Sequence, residues 1–139
     1  MATSARPIVT RQASIEVVVL HTTVSGTLQA LKTAAQLAHG LSARIRLLVL
    51  EVVPYPLPLH QPDVSLPYTR RHFRTLAENA SIETSVDIHL VRDPEEVIDS
   101  VLEPHSVVVM GAHRTWWPTA RGRMAKRLKR RGHQVIYAS

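Results

Sequence analysis

At 139 residues the chain is long enough to bury about two-thirds of its unfolded surface around one core, so a single domain without staples is expected. It contains no cysteine, which excludes disulfides and thiolate metal sites, and no apolar run approaches the roughly 18 residues of a membrane span. Seventeen Lys and Arg against eleven Asp and Glu give a formal charge of +6, which favours nucleotides, nucleic acid or acidic membrane surfaces without choosing among them.

Met1 to Gln12 has no hydrophobic periodicity and lacks the apolar stretch of a signal peptide; residues 1–13 read as a flexible leader and 14–139 as the domain, with a cytoplasmic location expected. Ile15 to Leu20 is continuously apolar apart from Glu16, the pattern of a strand covered on both faces. After Ser25 and Gly26, the residues Leu28, Leu31, Ala35, Ala38 and Leu41 recur at helical spacing, and Gly40 reads as the stop. Arg44 to Val53 is a second strand, and a helix between two strands predicts a right-handed parallel crossover. Four prolines from Pro54 to Pro62 block helix and strand pairing and favour a semi-rigid connector over a PxxP ligand.

Pro67 to Ala80 resumes as a helix with Phe73, Leu76, Ala77 and Ala80 inward and Arg70, Arg71 and Arg74 on a solvated face. Ile82 to Val91 alternates, with Val86, Ile88 and Leu90 on one side and Asp87 and His89 on the other, as a half-exposed edge strand would. Asp93-Pro94-Glu95-Glu96 is a helix start, with Asp at the cap, Pro in the first turn and acids at the positive end of the dipole, followed by a core face of Val97, Ile98, Val101 and Leu102. Capping explains these carboxylates without acid/base chemistry. Ser106 to Met110 is a fourth strand, Pro118 to Arg131 a basic helix, and Gln134 to Ala138 a short fifth strand.

The order is βαβαβαβαβ, an open, Rossmann-like α/β domain with helices on both faces of a five-stranded parallel sheet. The first and fourth strands are the most apolar and belong in the middle; the third alternates and the fifth is short, which predicts the order 3-2-1-4-5. Winding then reverses between strands one and four, and ligands bind outside the carboxyl ends at such a point. The turns at His21 to Gly26 and Gly111 to Arg114 line the candidate site. From Arg114 to Arg131 there are eight basic residues and no acid, and Arg114 and Arg123 are strong phosphate donors.

These elements, with Val108-Val109-Met110-Gly111-Ala112-His113 and Gly122-Arg123-Met124-Ala125-Lys126-Arg127-Leu128, resemble a universal stress protein domain of the adenine-nucleotide α-hydrolase-like superfamily over about Ser14 to Ala138. In ATP-binding members that resemblance implies a glycine, two residues, a second glycine, nine residues, then glycine and a serine or threonine. Gly111 and Gly122 stand at the first and third glycines. Arg114 takes the second, only seven residues separate it from Gly122, and Arg123 replaces the hydroxyl. Arginine supplies neither close backbone approach nor positive φ cheaply, so the phosphate cradle is degenerate. The family's acid at the end of strand one is replaced by His21 or Thr22.

The candidate nucleotide or anion site is therefore His21, Thr22, Thr23, Val49, Gly111, His113, Arg114, Gly122 and Arg123, with ATP or another adenine nucleotide bound weakly if at all. His21 and His113 are too few for a metal signal. Trp116-Trp117-Pro118 reads as an apolar plug in the shortened loop, with an aromatic platform as the alternative. No nucleophile sits beside an evident base, and no enzyme motif of the superfamily is recognisable. A non-enzymatic stress-response or regulatory binding module is expected, with a basic nucleic-acid-binding protein, or a cytoplasmic domain acting with a membrane transporter, as alternatives. The fifth strand's Val135, Ile136 and Tyr137 at a sheet edge predict a homodimer, and the resemblance implies the same surface.

Overall fold

The computed structural model describes residues 15–53, 58, 66–78, 80, 82–111 and 120–138. The expectations for the leader, for most of the proline-rich connector and for His113, Arg114, Trp116 and Trp117 lie outside these described residues. Five strands, β1 (Glu16–Leu20), β2 (Arg44–Val52), β3 (Thr84–Val91), β4 (Val107–Gly111) and β5 (Gln134–Ala138), alternate with four described helices, α1 (Val24–Leu41), α2 (Leu66–Ala77), α3 (Pro94–Val101) and α4 (Ala120–Arg130). The sheet order is β3-β2-β1-β4-β5, and each adjacent pair is parallel, as the hydropathy ranking predicts.

Strand periodicity divides the core into two layers. Val17 and Val19 of β1 face α1 and α2 together with Ile45, Leu47, Val49 and Val109. Val18 and Leu20 face α3 and α4 with Leu48, Val108 and Met110. Both faces of β1 are therefore covered, which is why its sequence runs apolar instead of alternating. On β3, Val86 and Ile88 pack under the first layer, whereas Asp87 and His89 turn to the other face. There Asp87 accepts from Arg46 at 2.7 Å and lies 3.0 Å from His89. Arg46 is held in addition by Glu16 at 3.1 Å and by the Val101 carbonyl at the end of α3, 3.1 Å away. Burial pushes the Asp87 pKa up, but the hydrogen bonds from His89 and Arg46 outweigh it and leave the carboxyl below its ordinary range.

Two expectations about α1 are corrected. Its buried stripe is Gly26, Thr27, Ala30, Leu31, Ala34, Ala35 and Ala38, while Leu28 and Leu41 are 37% and 44% exposed. The helix lies so close to the sheet that small side chains make up the contact beside Leu31, and Leu28 and Leu41 fall outside it. Nor does Gly40 end the helix. The chain stays helical to Leu41, and Ser42 takes the left-handed cap (φ 53°) with its N–H directed to the Ala38 and His39 carbonyls. The start of α3 follows the sequence reading, with Pro94 in the first turn and the Asp93 carboxylate accepting from the Glu95 N–H at 3.0 Å.

Candidate functional site

The crevice predicted between the carboxyl ends of β1 and β4 exists. It is an open cavity of about 250 Å³ lined by Leu20, His21, Thr22, Leu50, Pro94, Met110 and Met124. Five of these seven side chains are apolar, and the five strands and helices that supply them (β1, β2, α3, β4 and α4) all build the α3/α4 core layer, so the crevice is an extension of that core toward solvent. A second cavity, about 350 Å³, lies at the opposite, amino ends of the strands between Glu16, Arg44, Ile45, Glu83, Thr84 and Ser85. It sits away from the point where the winding reverses.

Thr27 organises the turn after β1. It is fully buried in the first turn of α1, and its hydroxyl accepts the Thr22 backbone N–H at 3.2 Å and lies 2.7 Å from His21 Nδ1. The other side of the His21 ring meets Phe73 of α2 edge-on, with centroids 4.6 Å apart. Burial, reinforced by nearby His72, lowers the His21 pKa to about 4, because a low-dielectric surrounding disfavours the imidazolium. His21 is thus neutral near pH 7 and brings no positive charge to a phosphate. Thr23 caps α1, its hydroxyl accepting the Gly26 N–H at 3.0 Å. The Thr22 hydroxyl is buried with no hydrogen-bond partner among the described residues, which leaves a polar atom at the crevice wall able to bond a ligand.

Gly111 ends β4 where α1 begins. A Cβ at this position would lie 2.5 Å from the Gly26 Cα and 2.6 Å from its carbonyl oxygen, so its glycine is required by helix-on-strand packing. Gly122 is exposed in the first turn of α4. Arg123, one residue on, is 3.3 Å from the Glu95 carboxylate of α3. A first-turn acid of α3 therefore partners the cation expected to hold phosphate. Val49 is 2% exposed and packs in the α1/α2 layer, so its side chain does not reach the crevice. His113 and Arg114 fall outside the described residues. Sequence reasoning missed Thr27, Phe73 and the apolar wall; the one available signal was a threonine on the buried stripe of an otherwise alanine-rich helix.

No family model matches this sequence, and no curated protein is similar to it. Solved structures do match. The universal stress protein from Archaeoglobus fulgidus superposes with a TM-score of 0.64 at 13% identity, covering 90% of this chain and 93% of that one. A universal stress protein in complex with cAMP superposes at 0.53 and 18% identity, over 90% and 98% of the two chains. The chain has the universal stress protein fold. At these identities the likeness lies in the backbone path.

Proposed function

We propose that this chain is a non-enzymatic stress-response or regulatory binding module whose crevice takes an adenine nucleotide or similar compact ligand weakly, the triphosphate cradle being degenerate. The observation that carries the reading is the pairing of Arg123 with Glu95 at 3.3 Å. A carboxylate already pairs with this cation, next in sequence to Met124 of the crevice wall, so a phosphate drawn to it must displace the carboxylate or meet its repulsion. The neutral His21 adds to this reading, as does a cavity slightly below the roughly 300–1,000 Å³ of small-molecule sites. The neighbour bound to cAMP supports a nucleotide with a single phosphate over one with three.

The reading includes a homodimer through β5 and action in the cytoplasm, alone or beside a membrane transporter. Among the described residues no helix is long and apolar enough to cross a membrane. Thermal-shift measurements with ATP, ADP, AMP, cAMP and phosphate test the site. A ligand at 1 mM with a Kd near 1 mM stabilises by about 0.4 kcal/mol, whereas one with a Kd near 10 μM gives about 2.7 kcal/mol. At about 4 °C per kcal/mol for a domain of this size, ATP is expected to raise the melting temperature by no more than about 2 °C. A rise of about 10 °C with ATP refutes the degenerate cradle, and release of ADP above the blank refutes the non-enzymatic assignment.

A further inference from the structure

Basic residues are densest in α4, yet the fold neutralises much of that helix. Arg123 pairs with Glu95, and Arg127 and Arg131 pair with Asp99 at 3.3 and 3.2 Å. These partners recur every fourth residue on both helices, so one turn of α3 meets one turn of α4. Lys129 lies over the Tyr137 ring, 5.5 Å from its centroid. Three arginines of the charge run that dominates the sequence thus belong to an inter-helix seam.

Helix α2 presents the opposite arrangement. Arg70, Arg71, His72 and Arg74 are all exposed, and Leu66–Ala77 contains no acid. None of the three guanidinium groups has an ion pair or hydrogen bond among the described residues. Glu78 and Glu83 share a cavity with Arg74 and so bound the patch at its carboxyl end. The helix's apolar side, Phe73, Leu76 and Ala77, is 4–7% exposed in the core and has nothing left to insert into lipid, unlike a membrane-surface helix. What α2 offers a partner is a cationic face with one aromatic ring, since Tyr68 is 57% exposed.

The geometry points to this face of α2 as a binding surface for single-stranded nucleic acid, with Arg70, Arg71 and Arg74 on phosphates and Tyr68 stacked on a base. Arg70 and Arg74 are one turn apart, with Cβ atoms about 5–6 Å from each other, and Tyr68 neighbours Arg71 three residues on. Planar guanidinium groups hold phosphate oxygens in pairs, and an aromatic ring accepts any base face, so binding tolerates sequence. A duplex hides its base faces and leaves Tyr68 without a role. An acidic protein surface or anionic lipid would use the arginines but not the ring.

Fluorescence anisotropy of a labelled oligothymidylate with the full chain provides the test. Three phosphate contacts give a slope of about −2 in log affinity against log salt, so affinity falls about 20-fold between 50 and 200 mM salt. Replacing all three arginines together (Arg70→Gln, Arg71→Gln, Arg74→Gln) keeps helix propensity and removes the charge; binding is expected to drop at least 20-fold at 50 mM salt, with an unchanged melting curve as the check on folding. Tyr68→Ala is expected to weaken single-strand binding about fivefold or more and to leave duplex binding as it was. The α4 pair Lys126→Gln and Arg130→Gln is expected to change little. The proposal is overturned by absence of saturable oligonucleotide binding, by binding that survives the α2 triple variant, by loss on the α4 variant instead, or by capture on phosphatidylserine vesicles without oligonucleotide binding.

Discussion

Gly111→Ala is the sharpest test of how the crevice is built. The added Cβ would stand 2.5 Å from the Gly26 Cα, 2.6 Å from its carbonyl oxygen and 2.7 Å from its carbonyl carbon, all backbone atoms that no rotamer change can move. Restoring an ordinary contact requires about 1 Å of extra separation between β4 and α1. That displacement loosens a helix whose stripe from Gly26 to Ala38 is buried against the sheet, and a gap of 0.5–1 Å forfeits a quarter to a half of each affected contact. Overpacking costs about 1–3 kcal/mol where side chains can yield; here backbone meets backbone, which puts the expectation at about 3 kcal/mol, or about 12 °C in melting temperature. Gly40→Ala is the internal control. It lies within the same helix with nothing inside 4 Å of its Cβ, so it should gain about 0.5–1 kcal/mol from helix propensity alone. Thermal unfolding followed by circular dichroism compares the two. A Gly111→Ala variant melting within about 2 °C of the parent would refute the close approach, as would an equal loss in Gly40→Ala.

His21 and the β5 edge yield two further expectations. The His21 pKa falls from 6.5 to about 4 on folding, so the neutral form is the stabilised one: its contribution is complete above about pH 6.5, declines as pH falls toward 4 because the unfolded chain protonates first, and changes no further below that. Melting temperatures of the parent and of His21→Gln, recorded from pH 7.5 to 4.5, should converge as the pH drops, and parallel curves would contradict the burial argument. At the other end of the sheet, Tyr137 is 47% exposed on the edge strand with Val135 and Ile136 half-buried beside it. Light scattering of the intact chain is expected to give twice the mass of one chain and Tyr137→Asp to give one; a monomer throughout the micromolar range would defeat the β5 interface, and a dimer surviving Tyr137→Asp would move it elsewhere.

The parts of this fold that were legible in advance are those whose cause is local. Continuous apolar runs marked β1 and β4 as central, and alternation marked β3 as an edge strand with Asp87 and His89 on its polar side. The Asp93-Pro94 start of α3 was readable because a cap and its amide lie two residues apart. The α1 stripe misled because periodicity gives spacing but not which of several adjacent rows turns inward; the approach distance to the sheet selected the alanine row over Leu28 and Leu41. The same limit applies to Arg123, whose partner Glu95 is 28 residues away. Its helical neighbours carry no hint of that acid.

Composition and period alone thus determined the element order, the strand order β3-β2-β1-β4-β5 and the location of the crevice, because hydrophobic burial acts on each segment according to its own pattern. The crevice's chemistry was decided only when the segments met. Gly111 against Gly26, His21 between Thr27 and Phe73, and the α3–α4 ion pairs each depend on the register and separation of elements distant in the chain. Those contacts convert a phosphate-type glycine into a packing residue, keep a histidine neutral, and tie three arginines of the densest basic run to acids of α3 while leaving the shorter arginine cluster of α2 facing water. Charge and packing between distant segments act through space, at ångström range, and a linear pattern records residue types without recording those distances.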